Sequence, residues 1–85
     1  LDLPGLRISP NPTGGSFELA FEVPERGDLT VDVHDANGDR LYHETITGFK
    51  GHYARSLDMS DRAAGTYSVV IAQNGKALAR KVVKR

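Results

Sequence analysis

Cysteine and tryptophan are absent from these 85 residues, and aromatic side chains make up only 7% of them. No disulfide can staple the fold, and no thiol can complete a metal site. The absence assigns no compartment, because exported bacterial domains also often do without disulfides. Tyr42, Phe49 and Tyr53 are the only candidates for the exposed stacking platform that sugar binding uses. Net charge is absent too. Eleven Lys and Arg balance eleven Asp and Glu, which gives no reason to expect nucleic acid or an anionic membrane as partner. No apolar run approaches membrane-span length, and the start of the chain lacks the basic-then-apolar pattern of a signal peptide. The chain opens at Leu1 without a methionine, which reads as one domain, residues 1–85, cut from a longer protein. A domain of this size buries roughly 60–65% of its unfolded surface, so its core is thin.

Catalytic and metal-binding patterns are equally scarce. Ser16, Ser56, Ser60 and Ser68 have no nucleophile elbow and no nearby base. His34, His43 and His52 fall on three different strands, with no two at ligand spacing on one element. Asp35-Ala36-Asn37-Gly38-Asp39 starts like a calcium loop, but its glycine is fourth rather than sixth and Ile46 stands where the bidentate glutamate belongs. A hairpin turn accounts for those residues without a metal. Arg26-Gly27-Asp28 matches an adhesion tripeptide, yet a polar turn between strands explains it as well. The expectation is no enzyme, no cofactor, no metal and no small-molecule substrate.

What the chain does have is alternation. Phe17, Leu19, Phe21 and Val23 share one face of a strand whose other face is Glu18, Ala20 and Glu22. Leu29, Val31 and Val33 repeat the pattern against Thr30, Asp32 and His34, and Tyr67, Val69 and Ile71 repeat it after Ala64-Gly65-Thr66. Shorter or more ragged strands are expected at Leu6–Ile8, Arg40–Thr47, His52–Met59 and Lys76–Lys84. Turns at Pro10-Asn11-Pro12, Pro24-Glu25-Arg26-Gly27, Asn37-Gly38, Gly48-Phe49-Lys50-Gly51 and Asn74-Gly75 separate them. About seven short antiparallel strands, with turn signals at roughly 8–12-residue spacing, predict an all-β, immunoglobulin-like Greek-key sandwich. Gly65-Thr66-Tyr67 fits either a tyrosine corner, in which the phenol bonds back to an upstream backbone group, or an ordinary turn before a core tyrosine. At Asp35-Ala36-Asn37-Gly38 a type I turn with Gly38 in the left-handed region is favoured, which would pair Val33 with Leu41 and send Tyr42 outward.

The last strand is basic, with Lys76, Arg80, Lys81, Lys84 and Arg85. Such a strand either guards an edge against unwanted pairing or forms an exposed tag able to add to a partner's sheet. Four motifs then recur in order: Pro10-Asn11-Pro12 with Gly15 and Phe17; Val31, Val33, Asp35 and Gly38; Leu57, Gly65, Tyr67, Val69 and Ile71; and Lys81, Val82, Val83 and Lys84. In this the chain resembles, over nearly its whole length, the type A-like C-terminal sorting domains of the type IX (Por) secretion system. It departs at Arg62, where that family usually has leucine.

The resemblance implies an address label on an exported passenger. The domain would fold in the periplasm of a Gram-negative bacterium and be recognised by the outer-membrane translocon. A sortase-like peptidase would then cut upstream and anchor the passenger at the cell surface. Lys81, Val82, Val83, Lys84 and Arg85 are the expected recognition residues. Pro10, Asn11, Pro12, Gly38, Gly65 and Tyr67 are assigned to the fold. The alternative is an accessory immunoglobulin-like spacer or carbohydrate-binding module retained on a secreted enzyme, which should tolerate loss of residues 81–85 where a sorting signal should not.

Overall fold

A computed structural model describes residues 1–85 as five antiparallel strands: β1 (Arg7–Ser9), β2 (Ser16–His34), β3 (Arg40–Asp58), β4 (Gly65–Gln73) and β5 (Lys76–Lys84). They form one sheet in the order β1-β2-β4-β5, with β3 paired along nearly the full length of β2. The first half of β2 lies between β1 and the second half of β3, whereas its second half lies between β4 and the first half of β3.

The expected seven strands are therefore five. Pro24-Glu25-Arg26-Gly27 and Gly48-Phe49-Lys50-Gly51 do not end strands. They lie opposite one another across the β2–β3 pair, where the register slips on either side of Gly27. Proline withholds an N–H from the ladder, and Gly48 and Gly51 take φ of 60° and 113°. Both strands bend at one place and run on, so the sheet curls over on itself instead of splitting into separate short strands. Gln73 pins the bend: its Nε2 lies 2.9, 3.2 and 3.3 Å from the carbonyl oxygens of Glu25, Gly27 and Phe49, which share its two hydrogens. A Cβ at Gly27 would stand 2.3 Å from Asn74 Oδ1, so any larger residue there would displace the Asn74 side chain.

Alternation directs one face of every strand into the curl. Phe17, Leu19, Phe21, Val23, Leu29, Val31, Val33, Val69 and Ile71 are all buried in a single cluster, joined by Tyr53, Leu57, Met59, Tyr67 and Val82. Each fully buried Leu, Val or Phe contributes about 1.5–3 kcal/mol, the main force holding the curl closed. Tyr53 fills the middle, stacked on Phe21 at 4.6 Å between centroids and met edge-on by Phe49 at 6.3 Å. Tyr67 makes the corner bond, its hydroxyl donating to the Ala63 carbonyl four residues upstream at 2.6 Å.

The turn after β2 is the favoured one, with a Gly38 N–H to Asp35 carbonyl bond of 3.0 Å and Gly38 at φ 86°. The register it was expected to set is not observed. Val33 pairs with Tyr42, because a second irregularity between Val33 and His34 restores the residue that the glycine bulge takes up. Tyr42 thus sits on the inner face, at the mouth of the curl.

Candidate recognition site

β5 is an outer strand, and alternation divides its side chains between two faces. Val82 opposes Tyr67 and is 1% exposed, so it belongs to the core. Lys84 shares that side and is half-buried, while Lys81 and Val83 point to the outer face. Val83, 39% exposed, is the only large hydrophobic side chain left open to solvent. Arg85, just past the strand, is exposed. The expected recognition residues therefore form two groups: an outer row of Lys81, Val83 and Arg85, and an inner pair of Val82 and Lys84. None of the five basic residues between Lys76 and Arg85 enters an ion pair.

The outer edge of β5 is not entirely free, and Pro10-Asn11-Pro12 is the reason. Both X-Pro bonds of that segment are cis. Asn11 Nδ2 donates to the Lys81 carbonyl at 3.0 Å, and its Oδ1 accepts from the Val83 N–H at 3.0 Å. One side-chain amide so replaces the donor and acceptor of a neighbouring strand. Thr13 continues the pairing with its own backbone: its N–H donates to Val83 at 2.8 Å and its carbonyl accepts from Arg85 at 2.9 Å, as a parallel bridge. The buried Thr13 hydroxyl donates to the Ser16 carbonyl at 2.6 Å and accepts from the Gly15 N–H at 3.1 Å. Residues 11–13 thereby cap the edge over 81–85. The sequence showed a turn there but gave no sign of which strand that turn would meet.

The opposite side of the curl is closed by a polar cluster that strand patterning did not reveal. Glu44 faces inward from the first half of β3 and meets Tyr53 and Arg55 from the second half. It accepts from the hydroxyls of Tyr53 and Tyr42 at 2.7 and 3.0 Å, and from Arg55 Nη2 and Nε at 2.9 and 3.2 Å. The Arg55 guanidinium also lies 4.6 Å from the centre of the Tyr53 ring. Burial pushes the Glu44 carboxyl up, but the bonds from Arg55, Tyr53 and Tyr42 outweigh it and hold the group below its ordinary value. Burial, then the bond to Glu44, pushes the Tyr53 phenol far up, so it stays a donor. The cluster holds charge but presents no unengaged nucleophile or base.

Several of the remaining candidate residues are held in structural contacts. Arg26 Nη1 donates to the Gly48 carbonyl at 2.6 Å, and Asp28 accepts from the Gly48 N–H at 2.9 Å. The Arg-Gly-Asp tripeptide is therefore part of the β2 bend, not a displayed loop. His43 pairs with Asp32 at 2.5 Å and His52 with Glu22 at 2.7 Å, both across strands. No group of three or more His, Asp or Glu side chains is placed to hold a metal.

A family model described as a secretion system C-terminal sorting domain matches residues 7–85. The chain belongs to that family. The match takes in all five strands, with the Asn11 clamp, the bend and the Tyr67 corner among the matched residues. The domain is the C-terminal sorting signal for type IX secretion, the tail of a passenger protein that is secreted or displayed at the cell surface. The family is not catalytic. No curated protein matches the chain in sequence. The spacer or carbohydrate-binding alternative finds no support: Tyr53 is buried and Tyr42 and Phe49 are packed against the core, which leaves no aromatic platform.

Proposed function

We propose that the sorting domain is read through the basic outer side of β5, with Lys81, Val83 and Arg85 in contact with the outer-membrane translocon and Lys84 at the rim. The observation that carries this reading is the charge distribution. Five of the eleven basic side chains lie between Lys76 and Arg85, no acidic one does, and none of the five is neutralised by an ion pair. Val82 acts by holding the strand in place. Residues 1–85 form the label as one domain, folded in the periplasm, with a sortase-like peptidase cutting ahead of it and anchoring the passenger at the surface. The curled sheet works as an immunoglobulin-like sandwich, a reading supported by the corner bond of Tyr67 and by a core shared between its two halves.

An export assay tests this. The domain is fused to a neutral reporter behind an inner-membrane signal, in a bacterium that has the type IX system. A second fusion carries Lys81→Ala, Lys84→Ala and Arg85→Ala, with folding of both checked by circular dichroism. Surface reporter from the first and periplasmic reporter from the second is expected. Equal export of both would place the signal elsewhere on the fold.

A further inference from the structure

The clamp on β5 stops at Lys81. In an antiparallel strand successive residues direct their backbone N–H and C=O alternately to one side and the other. Val83 directs both of its groups to Asn11 and Thr13, away from β4. By the same alternation Ala77 and Ala79 direct theirs outward, together with the N–H of Lys81. Beyond β4, the only partner that β5 pairs with is the Thr13 segment at its far end, so these groups have no strand beside them; the Ala79 carbonyl accepts only from the exposed Arg80 side chain, at 3.0 Å. The open window runs from Ala77 to Lys81, with three residues directing backbone groups outward, and is bounded by the Asn74-Gly75 turn and by the Asn11 clamp.

A shallow groove of about 270 Å³ runs beside this window, lined by Leu6, Ile8, Asn11, Arg80 and Lys81. Leu6 and Ile8 pack only partly against the core. Arg80 and Lys81 have no acidic partner. A strand laid along Ala77–Lys81 would place alternate side chains on the inner side, over Leu6, Ile8 and Arg80, and the intervening ones on the outer side, beside Lys81.

We infer that the β5 window takes an extended segment of a partner protein in which apolar and acidic residues alternate, added as an edge strand. Backbone bonds to Ala77, Ala79 and Lys81 would supply affinity, and the groove and the cations the selectivity. Charge complementarity selects this occupant over a second copy of the domain, whose own β5 would bring cations against cations. The inference deepens the reading of β5 as the recognition strand and rests on it for the partner's place in the export machinery. Its test does not use that machinery, so failure here leaves the export result standing.

The probe is a blocked heptapeptide of alternating valine and glutamate, titrated into the 85-residue chain while backbone amide exchange is followed by NMR. A valine–lysine heptapeptide of the same length is the control. The acidic peptide is expected to protect the amides of Ala77, Ala79 and Lys81 and to leave Val83 unchanged, with binding weakened by salt. Ala79→Pro removes an outward N–H without touching the β4 ladder, and should weaken binding about tenfold. Arg80→Glu with Lys81→Glu keeps the backbone edge and should reverse the preference between the two peptides. Equal binding of both peptides by the unaltered chain, protection outside the window, or undiminished binding by Ala79→Pro would overturn the inference. So would concentration-dependent dimerisation that protects the same amides without peptide, since a second copy would then be the occupant.

Discussion

Asn11 holds two peptide groups of β5 with one side chain, and its removal leaves the Lys81 carbonyl and the Val83 N–H without a protein partner. Both are near the surface, so water replaces part of what is lost. Asn11→Ala should cost about 1–2 kcal/mol and speed exchange of the Val83 amide while leaving that of Tyr67 unchanged. Glu44 is the other residue whose loss would be felt widely. Its carboxyl is held below its ordinary value of 4.5, so its stabilising effect is complete above that pH and fades as the pH falls through the folded value. Denaturant midpoints measured from neutral pH into this acid range should fall more steeply for the unaltered chain than for Glu44→Gln, which keeps an acceptor but cannot titrate. The two residues differ in how far sequence revealed them. Asn11 was visible as part of a turn. Glu44 looked like noise in a ragged strand, because a charged residue at an inward position makes sense only once Arg55, Tyr53 and Tyr42 are known to converge on it.

At the level of strands, alternation identified the apolar inward positions of β2 and β4, but not the buried Gln73 at the end of β4 or the burial of Ala20 on the other face of β2. Continuity was not visible, since Pro-x-x-Gly and Gly-x-x-Gly signal a turn or a bend equally well when read singly. Their alignment across β2 and β3 decides it, and that is a long-range fact. The structure also alters what truncation can show. Removing residues 81–85 deletes Val82 from the core and strips the clamp of its partners, which should cost about 3–5 kcal/mol. That is comparable with the whole stability of so small a domain. The shortened chain is expected to lose its cooperative denaturant transition, so loss of export on truncation would report loss of fold. Point substitutions on the outer face avoid this. Arg62 gives an opposite case. It borders a groove of about 230 Å³ lined by Val33, Leu41, Tyr42, Leu57 and Met59. Arg62→Leu should bury its side chain there and stabilise by about 1 kcal/mol, raising the melting midpoint by roughly 4–8 °C.

Over the whole molecule, the two open sides of the curl are closed by different means: a carboxylate-centred cluster on one, and a pairing between residues 11–13 and 81–85 on the other. The second joins segments about as far apart in sequence as the domain permits. Contacts of such separation form late, because the intervening chain must first be ordered. Residues 11–13 have nothing to bind until the ribosome has delivered residue 85. The domain can therefore act as a check on synthesis. A chain that stops short of residue 81 cannot close this pairing, and its core strands stay open to proteolysis.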